Sequence, residues 1–68
     1  MAGKQVINLN EVENAPEELA ERYLHERGYQ MRVVARDGDY FVVTLEFRDN
    51  RVNVEVNNNI VTQVVNIG

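Results

Sequence analysis

The stretch Tyr40-Phe41-Val42-Val43-Thr44-Leu45-Glu46-Phe47-Arg48-Asp49-Asn50-Arg51-Val52-Asn53-Val54 decides how this chain folds. Its later part opens a run, Arg51 to Asn57, that alternates cleanly. Val52, Val54 and Val56 face one way and Asn53, Glu55 and Asn57 the other, as in a strand with one buried side. The earlier part, Tyr40 to Phe47, is extended and apolar, and it has two readings. As an ordinary strand it belongs to a four-stranded antiparallel meander, and Leu45 alternates with Phe41, Val43 and Phe47 towards the core. As a long exposed loop it joins two parallel strands, a connection that needs about a dozen residues, and Leu45 stands in solvent. Pattern alone leaves both topologies open.

Upstream, Arg36-Asp37-Gly38-Asp39 is a turn signal, and Gln30 to Ala35 reads as a strand. Before it lies a helix, expected from about Ala15 to about Arg27. Asn14 supplies an N-cap side chain, Pro16 sits in the first turn, and Glu17 falls at N3. Acidic Glu17 and Glu18 stand at the positive end of the helix dipole; Arg22, His25 and Arg27 lie towards the negative end. Glu18 and Arg22 are spaced to pair. Leu19, Ala20, Tyr23 and Leu24 form one apolar stripe for packing, and Gly28 stops the helix where a left-handed residue is needed. The first segment, Gln5 to Asn10, reads as an extended arm or short strand that lays Val6 or Ile7, and Leu9, on the core.

Downstream, Arg48-Asp49-Asn50 is a polar break, Asn57-Asn58-Asn59 is a turn because Asn tolerates positive φ, and Ile60 to Ile67 is a last strand. The sum is one α+β domain spanning residues 1–68, a helix on a small sheet, with no internal repeat or low-complexity linker.

Sixty-eight residues leave room for one thin core, because a chain of this size buries only about 60% of its unfolded surface. With no cysteine, neither disulfides nor thiolate metal sites contribute, and apolar packing must carry stability. The net charge of −4, from 11 acidic against 7 basic residues, offers no basic face for phosphates, so nucleic acid is not an expected partner. The apolar runs fall far short of a span of about 20 residues, which argues against a membrane. Met1-Ala2-Gly3-Lys4-Gln5 lacks the apolar region of a signal peptide, a reading compatible with the cytoplasm that leaves localisation unassigned.

Catalysis is not expected. His25 has Glu21 one turn before it but no serine or cysteine anywhere in the chain to activate, so a solvated or dipole-pairing histidine is the simpler reading. Asp37 and Asp39 have ordinary turn chemistry, and two carboxylates are too few for a calcium site. Neither a metal nor a cofactor is implied.

The run Val43-Thr44-Leu45-Glu46-Phe47-Arg48-Asp49-Asn50-Arg51-Val52-Asn53-Val54 resembles the reactive-site region of the potato inhibitor I family of serine-protease inhibitors. That family has Val-Thr, then Leu or Met, an acidic residue, an apolar or aromatic residue, Arg, two variable positions and Arg-Val. The likeness continues through Asn59-Ile60-Val61-Thr62-Gln63-Val64 to Ile67-Gly68, covering residues 14 to 68. It implies a helix packed on a small mixed sheet with an extended exposed binding loop. By position, Leu45 is similar to P1 and Leu45–Glu46 to the scissile bond. Val43 and Thr44 then stand at P3 and P2, with Phe47 and Arg48 on the primed side. Arg51 is implied as a support that rises from the strand below and reaches both Thr44 and Glu46. Three departures stand out: Asn53 replaces a second supporting arginine, the Gly38–Thr44 segment is longer and lacks the Pro of plant and leech members, and Phe41 and Val42 are unusually apolar. A smaller bacterial and fungal branch is similar in having Asn at the Asn53 position.

The resemblance thus implies a serine protease as partner, of subtilisin-like or chymotrypsin-like type given Leu45, with the inhibitor a monomer or weak dimer. The alternative is a non-inhibitory interaction module that adds the apolar strand around Tyr40–Leu45 to a partner's sheet or to a second copy.

Overall fold

A computed structural model describes residues 4–68; the first three residues, read above for a leader, lie outside the described residues. In chain order it holds a 3-10 turn Leu9–Glu11, helix α1 Glu17–Glu26, and strands β1 Gln30–Arg36, β2 Asp39–Tyr40, β3 Arg51–Asn57 and β4 Ile60–Ile67. The sheet order is β2-β1-β3-β4. β1 and β3 run parallel, with Gln30 opposite Arg51 and Arg32 opposite Asn53, while both outer pairs are antiparallel. The chain is therefore α+β with a mixed sheet, and the all-antiparallel meander is excluded. What would have been its second strand pairs with β1 only at Asp39 and Tyr40, and one further bond runs from the Phe41 N–H to the Val34 carbonyl at 2.9 Å.

Two tight turns set the hairpins. Asp37 and Gly38 both have positive φ, as do Asn58 and Asn59, the backbone that matches the twist of two-residue hairpins. Gly28, at φ +88, ends the helix as expected. Its N–H reaches the His25 carbonyl and that of Tyr29 reaches Leu24, which satisfies two carbonyls the helix leaves open.

The helix start differs from expectation. Asn14 is not the N-cap: it sits at φ 67, and Pro16 precedes the first helical residue without a side-chain cap. A tertiary partner takes over, because the Glu17 N–H donates to the Asn59 carbonyl in the β3–β4 turn. Flanking bonds join the Asn14 N–H to the Val61 carbonyl and the Val61 N–H to the Ala15 carbonyl. Freed from a capping box, the Glu17 carboxylate accepts two bonds of 2.8 Å from Arg36 at the end of β1. The Glu18–Arg22 pair does not form among the described residues; instead Arg27 stacks on the Tyr23 ring, 3.8 Å from its centroid.

The core lies between α1 and the sheet. Val12, Ala20, Leu24, Val52, Val54, Val56 and Val61 are wholly buried, with Ile7, Tyr23, Tyr29, Met31, Val33 and Val64 packed around them. Each buried valine contributes about 1.5–3 kcal/mol relative to exposure. Two apolar residues depart from expectation: Leu19 is about half exposed, and Leu9 lies exposed in the 3-10 turn Leu9–Glu11. In the arm before it Ile7, rather than Val6, packs on the core. Val12, which alternation did not single out, fills the place left for Leu9.

Candidate functional site

Residues 41–48 have no regular secondary structure. The chain leaves β2, runs back beside β1 and enters β3 at Arg51, where the Gln30 N–H and the Asn50 carbonyl meet at 2.7 Å. Among the described residues, no backbone group from Val42 to Phe47 bonds to another backbone group. Beneath this segment lies an open hollow of about 420 Å³, floored by residues such as Val34, Asn53 and Asn66. The segment is an arch, and side chains hold it up.

At its crown Leu45 is 99% exposed, with Val42 fully exposed and Phe47 73% exposed. Such apolar exposure has no folding benefit. Thr44 and Glu46, one on each side of Leu45, bond to each other: the Thr44 hydroxyl donates to Glu46 Oε1 at 3.3 Å. Residues two apart on an extended chain share a face, so these two span the residue that points outward.

The Glu46 side of the arch is held by Arg51, which is 5% exposed. Its Nη2 donates to the Glu46 carbonyl at 2.9 Å, and its Nη1 lies 3.7 Å from Glu46 Oε1. Nε donates to the Gly68 carbonyl at 2.9 Å, and the Gly68 N–H returns a bond of 2.9 Å to the Arg51 carbonyl. That exchange fixes the guanidinium plane before it reaches the arch. Phe47 lies over Gly68, where an added Cβ would sit 3.6 Å from the ring.

Arg51 does not clamp both sides, contrary to the reading from its position. Thr44 is reached by Arg32 on β1, whose Nη1 donates to Thr44 Oγ1 at 3.2 Å and whose Nε donates to Asn53 Oδ1 at 2.8 Å. Asn53, also 5% exposed, passes its amide protons to Asn66 Oδ1 at 2.8 Å and to the Gly68 carbonyl at 3.1 Å. Every buried side-chain polar atom among the described residues has a partner. Arg32 escaped sequence reasoning because its relevance depends on a register: it stands opposite Asn53 across the parallel pair. The only hint in the sequence was the missing second arginine at Asn53.

Glu46 is the electrostatic centre of the arch. The charge of Arg48, at 3.6 Å, and the Thr44 hydroxyl hold its carboxyl below the usual range, with Arg51 adding to the effect. Val43 is half-buried, while Arg48 is exposed and turned to Glu46. Val43, Thr44, Leu45, Glu46, Phe47 and Asn53 line the hollow, and Arg51 and Arg48 join them through Glu46. Elsewhere, a hollow of about 590 Å³ beside α1 places His25 near Glu21 and Tyr29. No group of three or more His, Cys, Asp or Glu able to hold a metal occurs among the described residues, and no helix is long and apolar enough to cross a membrane.

No protein-family model, no curated protein and no solved structure matches the chain.

Proposed function

We propose that this chain is a serine-protease inhibitor that offers Val43–Arg48 as a substrate-like segment, with Leu45 entering the specificity pocket of a subtilisin-like or chymotrypsin-like enzyme. One observation carries the reading: Leu45 is fully exposed on an extended backbone whose two neighbours are tied by hydrogen bonds to buried or half-buried side chains. A protease binds extended backbone and reads one side chain in a pocket. Ordering a flexible peptide costs about 0.5–1.5 kcal/mol for each immobilised side chain, and an arch already held in shape avoids that. The same hold opposes hydrolysis. Attack on the Leu45 carbonyl by the enzyme's serine would release the Glu46 amine, and Arg51 would keep that amine beside the acyl group for re-formation of the peptide bond. The resemblance to the potato inhibitor I family belongs to this proposal, and its likeness around Val43–Val54 supports it.

Incubation with subtilisin, chymotrypsin and trypsin is the direct experiment. Inhibition of the first two and sparing of trypsin, whose pocket wants a cation, is the expected result. Leu45→Gly should weaken inhibition at least about thirtyfold, the weight of an interface hot spot. Absence of inhibition at micromolar protein, or rapid cut after Leu45 with loss of fold, would dismiss the reading.

A second reading has its own support. β2 is an outer strand of two residues followed by a half-exposed Phe41 and a fully exposed Val42, an apolar edge open to another strand. A dimer that grows with concentration in light scattering, without protease inhibition, would favour it.

A further inference from the structure

We propose that Arg32 is the positioning residue of the unprimed half of the arch, oriented by Asn53, so that the two sides of the Leu45–Glu46 bond are braced from two different strands. The effect on a bound protease rests on the inhibitor reading above; the effect on the order of the arch does not.

Four observations carry the inference. First, the arch has no backbone bond between Val42 and Phe47 among the described residues and an open hollow beneath, so neither a ladder nor apolar packing fixes Thr44. Second, the Thr44 hydroxyl has one proton to give and gives it to Glu46. Its remaining capacity is to accept, and Arg32 is the donor that fills it. Third, the orientation of Asn53 is fixed by chemistry. Both amide protons are engaged by oxygen acceptors, Asn66 Oδ1 and the Gly68 carbonyl, which leaves Oδ1 to face Arg32. Turning the amide over would set two donors against each other in a buried place. Fourth, Arg32 and Asn53 are partners in the parallel register, so a guanidinium from either strand starts beside the same point under the arch.

The fork of Arg32 matters more than its charge. Nε is spent on Asn53 and Nη1 on Thr44, two bonds from one rigid plane, which a lysine with a single ammonium on a flexible stem cannot reproduce. The result is a line of polar contacts, Arg32 to Thr44 to Glu46 to Arg51, that passes under Leu45 and ends on a different strand at each side. Gly68 joins the two bases, since its carbonyl accepts from both Arg51 and Asn53.

The test compares Arg32→Ala, Arg32→Lys and the double variant Arg32→Ala/Asn53→Arg by amide relaxation and by cleavage. Thr44→Val, which removes only the acceptor, serves if loss of Arg32 prevents folding. In Arg32→Ala and Thr44→Val, order parameters of the Thr44 and Leu45 amides should fall from rigid values near 0.85 to below about 0.6, with β3 amides unchanged. Arg32→Lys should resemble Arg32→Ala. The double variant should recover order, because it returns a guanidinium to the same place from β3. Against a protease that the parent chain inhibits, Arg32→Ala should speed the cut after Leu45 at least about tenfold, the scale of one lost hydrogen bond to a charged group. Unchanged Thr44 and Leu45 order in both Arg32→Ala and Thr44→Val would overturn the proposal. A parent chain that inhibits nothing yet loses Thr44 order in Arg32→Ala would refute the inhibitor reading and uphold the brace.

Discussion

Two neighbouring stretches of this chain carry the same kind of pattern and meet opposite fates. Val52, Val54 and Val56 alternate with polar residues and are wholly buried in β3. Phe41, Val43, Leu45 and Phe47 alternate just upstream, yet Leu45 is bare and Phe47 is largely exposed. Alternation reports an extended backbone; it does not report what lies opposite. β3 is paired on both edges and covered by α1, whereas the arch has solvent on one side and an open hollow on the other. One region is held by apolar area and ladders, the other by a few directed polar contacts. Their responses to change should therefore separate sharply.

Truncation gives the widest separation. Val54→Ala should cost about 2–3 kcal/mol from lost burial and the cavity left behind, a large share of the total for so small a domain. Leu45→Ala should stay within about 0.5 kcal/mol. Urea unfolding of the two variants measures both, and similar losses would break the contrast. Next in size is the hairpin that launches the arch. Gly38 has φ +87 and open space around its Cα, so Gly38→Ala meets no clash. Its backbone strain alone should cost roughly 1–2 kcal/mol, read from the same unfolding curves.

Acid sharpens the comparison further, because one carboxylate held below its usual range joins α1 to the sheet and another stands in the arch. Glu17 joins α1 to β1, and its pKa is lowered by the hydrogen bonds and charge of Arg36 against a smaller opposing effect of burial. A group depressed in the folded state stabilises above its unfolded pKa, near 4.5, and that contribution fades as pH falls through the folded value. Global stability should drop below pH 4.5, and Glu17→Gln should flatten part of that decline in urea titrations taken at successive pH values. Glu46, lowered chiefly by Arg48, obeys the same sign but sits in the arch. Its protonation should loosen the amides of Thr44–Phe47 below pH 4.5 and leave β3 exchange unaltered. Amide exchange as a function of pH checks this, the smallest of the effects.

Much of the fold was legible in local chemistry. Asp37-Gly38 and Asn58-Asn59 turned where residues tolerant of positive φ predicted, Gly28 ended the helix, and β3 and β4 have the expected bounds. The helix start is not legible locally because the partner of the first N–H is a carbonyl of Asn59, more than forty residues away, and no nearby side chain betrays it. Val12, not Leu9, is buried because a 3-10 turn rather than a strand carries Leu9.

The site divides along the same line. Arg51 stands out only through the resemblance, since strand pattern alone makes it a solvated edge cation, and its reach ends at Glu46; Arg32, the donor to Thr44, has no mark of its own. The amino-acid order by itself determined which stretches are extended, where the chain turns and which helix stripe is apolar, since each depends on residues a few positions apart. Tertiary structure alone decided whether Tyr40–Phe47 joins the sheet and which arginine lies beneath it. Those outcomes depend on the parallel register of β1 with β3, set between residues about twenty positions apart, where pairing and packing compete over distances that local pattern cannot sense.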